Sequence, residues 1–280
     1  MVRWIAYAVG SVFIFVLILG GITGLMETSE KSEGDLLIEE YHAYNKDAGW
    51  SWEGPMGLGV FGGFDEQQLQ RGFQVYKEVC SSCHSLKRVA FRNLTEIGFN
   101  EAEAKQIAAD WQIGVPTINP DTGESDTRTA ELADNFPLVY PNEIAARAAN
   151  NNAYPPDMSL LAKARPDGPN YIYSLITGYE PVPASFPDDA VQEGLSYNPH
   201  FHSLWIAMVP QLSDGQVDYA DGTPATVDQM GKDVSAFLYW AAEPKLEERK
   251  RAGIGTIVFL IVLTSFAYLT YRKVWADVKH

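Results

Sequence analysis

Cys80 and Cys83 are the two cysteines of this 280-residue chain, and His84 follows directly, so that the chemistry-bearing run reads Cys80-Ser81-Ser82-Cys83-His84. Two thiols three positions apart at the end of a helix reach the two vinyl groups of one haem, and the adjoining imidazole falls beneath the iron as its proximal ligand. The spacing therefore points to one covalently held haem c. A thioredoxin-like redox pair would use the same cysteines, but it requires a strand before the pair and a helix after it in a βαβ unit, a pattern not found here. A zinc site would require four ligands, and no second Cys pair or His cluster completes one.

An electron-transfer haem commonly takes a second protein ligand, and a distal Met raises the potential relative to a second His. Of the six methionines, Met1 and Met26 belong to a membrane-like end, and Met230 lies on an apolar helical stripe. Met56 precedes the motif in a Gly-rich stretch, Met158 follows Pro155-Pro156, and Met208 stands in Trp205-Ile206-Ala207-Met208-Val209-Pro210 just before the last polar-domain helix. CxxCH early and Met before the final helix is the order of class I c-type cytochromes. Met208 thus leads, with Met158, His200 and His202 as alternatives.

The elements that must position these groups are helical. Asp65 with Gln68 opens a helix on which Leu69, Gly72, Phe73, Tyr76, Val79, Cys80 and Cys83 recur at helical spacing, which would deliver the cysteines to a buried face. Further helices are expected over Asn100 to Trp111, Asn142 to Asn150, Asn170 to Thr177, and Thr226 to Ala242, where Met230, Val234, Phe237, Leu238 and Ala241 form one stripe. Residues 27–63 read as a linker and a wrapping segment. Residues 114–142, with Asp121, Glu124, Asp126, Glu131 and Asp134, read as an acidic surface loop, and 179–225 as a long loop over a cofactor. No β-alternation of useful length is visible. The fold class is mainly α, a class I cytochrome c-like domain with long loops.

Trp4 to Met26 and Ala252 to Tyr271 are uncharged stretches, each long enough for the roughly 20 residues a bilayer span requires. The second reads as a C-terminal transmembrane helix and the first as an N-terminal signal-anchor helix or signal, favoured as an anchor because Gly20 to Leu25 contains no A-x-A cleavage pattern. The domain plan is then 1–26 span or signal, 27–63 linker and wrap, 64–250 extracytoplasmic haem domain, and 251–280 span and tail. Arg272, Lys273 and Lys279, with Arg3, put both ends in the cytoplasm. Lys245, Arg249, Lys250 and Arg251 argue the other way, but they end a long domain and could rest on membrane lipid headgroups. Residues 27–242 hold 13 Lys and Arg against 32 Asp and Glu, a net charge near −19. That sign excludes nucleic acid as a partner and favours long-range steering of a basic protein. A hydrophobic content of 46% supports a packed core.

Several runs together resemble one family. They are Arg71-Gly72-Phe73-Gln74-Val75-Tyr76 before the motif, Ala145-Ala146-Arg147-Ala148-Ala149-Asn150-Asn151 with Pro155-Pro156-Asp157, Leu175-Ile176-Thr177-Gly178-Tyr179, Asp221-Gly222-Thr223-Pro224-Ala225-Thr226, and Trp240-Ala241-Ala242-Glu243-Pro244. In this order, over about residues 60 to 275, the chain resembles cytochrome c1, the haem c subunit of the cytochrome bc1 complex. The resemblance implies Met208 as the axial ligand opposite His84 and Arg165 on a haem propionate. It also implies Tyr76, Asn150, Pro156 and Tyr171 as haem-lining residues.

It further implies an electron carrier from a Rieske iron-sulfur protein to a soluble basic cytochrome c, bound to cytochrome b in a dimeric complex. The implied location is a bacterial inner membrane, with the haem domain on the periplasmic side. The isolated chain would make no bonds of its own and is not an enzyme by itself. A membrane-anchored cytochrome c feeding a terminal oxidase or reductase is the alternative. The chain departs from the family at Met208-Val209-Pro210-Gln211, where Met-Ala-Pro-Pro is frequent, and it cannot form the extra disulfide of some bacterial relatives.

Overall fold

The computed structural model describes residues 2–26, 32–54, 59 and 62–277. The chain divides into two compact units, Met1–His42 and Ala43–His280. In the first, helix α1 spans Val2–Met26 and leaves the side chains from Val9 to Gly20 exposed. Helix α2 spans Glu33–Tyr41, where a linker is expected from sequence. Its start is a reciprocal capping box: Ser32 Oγ accepts from Asp35 N–H, and Asp35 accepts from Ser32 N–H at 3.0 Å.

The second unit is built around helices α3 (Glu66–Glu78), α7 (Gly168–Thr177) and α8 (Val227–Ala242). The expected stripe of α8 is the core: Met230, Val234, Phe237, Leu238 and Ala241 are all buried. Two glycines let the helices approach. A Cβ on Gly72 of α3 would lie 2.0 Å from the Asp233 carbonyl oxygen of α8, and one on Gly231 would lie 2.5 Å from Thr177 Cγ2 of α7. Beside the first crossing Arg71 Nε meets the fully buried Asp233 carboxylate at 2.9 Å and its Nη1 meets Asp221 at 2.8 Å. The charges compensate one another, which a buried carboxylate requires. An aromatic cluster of Phe73, Tyr76, Phe91, Trp111, Phe136 and Phe237 packs beside the crossing, Phe91 and Phe136 standing 4.2 Å apart.

Helix α4 (Glu101–Ala109) starts at the expected Asn100–Glu103 capping box, and helix α5 (Glu143–Ala149) at Asn142. A short helix α6 spans Leu161–Ala164. Two short strand pairs lie in segments that read from sequence as loops. The acidic loop contains an antiparallel hairpin, β1 (Val115–Ile118) with β2 (Ser125–Arg128), and the long loop contains a two-residue pair, β3 (Ser196–Tyr197) with β4 (Trp205–Ile206). Strands this short carry too little alternation to register in sequence.

The wrapping segment contributes two tryptophans to the core. Trp50 and Trp52 are buried and stacked at 4.8 Å, and Trp50 Nε1 donates to Asn170 Oδ1 at 2.7 Å. Helix α9 runs unbroken from Leu246 to Val274, and Leu246 at its start is buried. Among the described residues it is the helix long and apolar enough to cross a membrane. Thr256, Ser265 and Thr270 in it each donate to the carbonyl four residues back, which satisfies their hydroxyls without water. Members of the basic cluster before the span also have protein partners. Arg249 pairs with Glu243, as does Lys163, Lys245 reaches Glu248 at 3.3 Å, and Lys250 Nζ donates to the Trp52 and Gly62 carbonyls.

Candidate haem site

The helix that sequence periodicity extends to Cys83 ends earlier. Val79 is the cap of α3, and Cys80–Ser82 form a 3₁₀ turn. The two residues between the cysteines supply the reason. Ser81 Oγ donates to the Lys77 carbonyl at 2.7 Å and Ser82 Oγ to the Val79 carbonyl at 3.0 Å, offering those oxygens an alternative to continued helix. The turn then closes through Cys83 N–H and His84 N–H, both donating to the Cys80 carbonyl, at 3.2 and 2.9 Å. Both cysteines are half-buried.

His84 is aimed by what surrounds it. Its Nδ1 lies 2.9 Å from the Pro156 carbonyl oxygen. A carbonyl only accepts, so Nδ1 carries the proton and Nε2 keeps its lone pair. Burial lowers the imidazole pKa, the Pro156 bond opposing this in part, which favours the neutral ring a metal requires. Burial, with Cys83 adding to it, pushes the Cys80 thiol up to about 12. A thiol protonated at neutral pH is a poor partner for thiol–disulfide exchange.

The backbone on either side is pinned. Met158 N–H donates to the Ser85 carbonyl at 2.8 Å, Lys87 N–H to Asp157 Oδ2 at 3.0 Å, and Arg88 N–H to Ser159 Oγ at 3.0 Å. The segment 156–159 is thus a splint along 84–88. It is delivered there by the end of α5, where Asn150 Nδ2 caps the Ala146 carbonyl at 2.7 Å and Asn151 and Asn152 take left-handed φ of 48° and 64°.

Of the residues singled out from sequence, Cys80, Cys83, His84, Tyr76 and Pro156 are joined by direct bonds, Tyr76 Oη donating to the His84 carbonyl at 3.1 Å. Tyr171 is half-buried on α7, and Arg165 is exposed, its guanidinium donating to the Ala164 carbonyl at 3.1 Å. Met208 is half-buried just after β4, and its carbonyl accepts from Tyr179 Oη at 2.9 Å. The alternatives differ: Met158 is buried in the core, the buried His200 ring packs on Gly178, and His202 is exposed beside Phe201. Met56 lies outside the described residues. Ser85, Asp157, Ser159 and Tyr179 hold the site's backbone and are not marked as site residues by type or spacing, since each bonds to a main-chain atom of a residue distant in sequence.

A CxxCH turn on a helical domain that runs directly into a membrane-length helix defines a membrane-anchored c-type cytochrome. Residues 52–278 match the sequence model of the Cytochrome C1 family. Cytochrome c1 of Rhodospirillum rubrum is 46% identical over 244 residues, spanning 82% of this chain and 87% of that one. A mitochondrial cytochrome c1 heme protein of Arabidopsis thaliana is 43% identical over 264 residues, spanning 94% and 82%. The mitochondrial cytochrome b-c1 complex catalytic subunit of Candida albicans is 41% identical over 264 residues, spanning 93% and 89%. The chain belongs to the cytochrome c1 family.

Proposed function

We propose that the chain binds one haem c through thioethers from Cys80 and Cys83, with His84 and Met208 as its two iron ligands. In this reading it serves as the electron-transfer subunit of a ubiquinol–cytochrome c oxidoreductase. The bound group supplies a one-electron iron couple. The observation that carries the reading is the His84 hydrogen bond to Pro156, which leaves a neutral imidazole with its Nε2 lone pair available beside the two cysteines of the turn. These donors fit the group. The Tyr76 bond and the 156–159 splint hold the imidazole in orientation, as outer partners of a metal ligand do. Tyr76, Asn150, Pro156 and Tyr171 line the haem, and the Arg165 guanidinium offers a charge-assisted bond to a propionate.

The partners proposed are cytochrome b and a Rieske iron-sulfur protein as donor, in a dimeric complex, with a basic soluble cytochrome c as acceptor. The acidic domain supports the last of these. The location proposed is a bacterial inner membrane with the haem domain periplasmic, which Arg272 and Lys273 at the end of α9 support. Two experiments test the reading. Met208→Leu should keep the covalent haem but let carbon monoxide bind the reduced protein, and an unchanged spectrum with no binding would exclude Met208. Mild-detergent purification should bring down a dihaem cytochrome b and a Rieske protein, and the absence of both would exclude the complex.

A further inference from the structure

The segment that carries Met208 has little regular structure of its own. Strands β3 and β4 pair over two residues each, and between them the buried Leu204 is held at φ 64°, a left-handed conformation that a non-glycine residue keeps only under constraint. The end of α7 supplies the constraint. Asn198, fully buried, donates from Nδ2 to the Leu175 carbonyl at 2.7 Å, while its Oδ1 accepts from His200 N–H at 3.0 Å. The His200 ring lies so close to Gly178 that a Cβ there would stand 2.3 Å from His200 Cδ2. The next residue, Tyr179, closes the dock with its phenol on the Met208 carbonyl at 2.9 Å. Three points at and just past the end of α7, at Leu175, Gly178 and Tyr179, thus hold the loop at Asn198, His200 and Met208.

We infer that Tyr179 is a positioning residue for Met208, fixing the backbone from which the thioether reaches the iron. The inference rests on the assignment of Met208 as an iron ligand made above. A Met side chain has three rotatable bonds, so the place of its sulfur is only as well defined as the main chain that carries it. The Tyr179 bond is the contact that holds that main chain at Met208 itself. Without it the loop remains tethered at Asn198 and His200, and the region around Met208 gains freedom while the domain stays folded. A residue of this kind tunes ligation without touching the iron.

The test is Tyr179→Phe, which removes one oxygen, in the full-length haem-loaded protein in detergent alongside Met208→Leu. Expected for Tyr179→Phe are intact covalent haem, a weakened ferric Met-to-iron charge-transfer band, and carbon monoxide binding to the reduced form about tenfold faster than in the wild type. Thermal unfolding should change little. A wild-type band and wild-type binding, with or without a loss of thermal stability, overturn the positioning role. If at the same time Met208→Leu loses the band and binds carbon monoxide, the ligand assignment survives that failure. A Met208→Leu protein that keeps the band overturns both. Should Tyr179→Phe fail to accumulate with haem, Asn198→Ala, which leaves the Tyr179 bond in place, puts the question from the other side. It should keep the wild-type band and wild-type carbon monoxide binding, and the loss of both would place the control of Met208 at Asn198 and overturn the inference.

Discussion

Asp228, near the start of α8, shows how one residue ties this fold to pH. The Tyr173 phenol donates to its carboxylate at 2.5 Å and the Lys232 ammonium at 2.9 Å. These bonds, Tyr173 first and Lys232 second, hold the carboxyl below the usual carboxylate range against partial desolvation. A group with a depressed folded pKa contributes stability that is present above its unfolded pKa, about 4, and is lost as pH falls through the folded value. Asp228→Asn should therefore unfold at a lower temperature than wild type at pH 7, with the two curves converging in acid as pH falls through the folded value. Thermal melts followed by circular dichroism in detergent across that range would check it, and a gap that persists in acid would assign the contribution elsewhere. The same logic of partners explains His84, whose usefulness is decided by Pro156, a residue with no side-chain donor at all.

Among elements, the α3–α8 crossing bears most on the site, because α3 ends in the CxxCH turn. Gly72 sits where the backbones meet, and a Cβ would stand 2.0 Å from the Asp233 carbonyl oxygen and 2.7 Å from Phe237 Cβ. Gly72→Ala should cost about 1–3 kcal/mol of stability, as overpacking does, read as a fall in the urea midpoint with an unchanged slope. Because the displaced helix leads into Cys80, covalent haem content should fall with it. The start of α9 is the second element that matters. Leu246 is buried, Glu247 accepts from Phe64 N–H at 2.7 Å, and Lys250 holds the Trp52 carbonyl, so the anchor grows out of the core and is strapped by the segment that precedes α3.

For the whole molecule, the property that bears on a charged partner is the net charge of the polar domain. Residues 27–242 carry a net charge near −19, and the acids of the β1–β2 hairpin, Asp121, Glu124 and Asp126, are exposed. Asp134 is not part of that free field, because Arg128 pairs with it at 2.6 Å. A basic acceptor should be oxidising this protein fastest at low salt, and raising ionic strength from about 0.01 M to 0.15 M should slow the second-order rate on the order of tenfold as the Debye length shrinks. Stopped-flow kinetics would measure it, and a salt-independent rate would argue that steering plays no part.

Sequence alone determined the groups that identify themselves by type and short spacing: the cysteines and His84, the caps at Asp65, Asn100, Asn142 and Thr226, the α8 stripe and the apolar span of α9. These are local because helix periodicity and capping act within four residues, and thioether attachment within five. The partners of those groups were decided only in three dimensions. Pro156 meets His84 across 72 residues and Tyr179 meets Met208 across 29, each through a backbone carbonyl that every residue type possesses. Likewise Ser81 and Ser82 end α3 before the cysteines, although the periodicity runs through them. Arg249 and Lys250, read from sequence only as part of a basic cluster, find their protein partners at Glu243 and at the carbonyls of the wrapping segment. Long-range partners are set by which chain segments pack side by side, and short-range pattern holds no record of that.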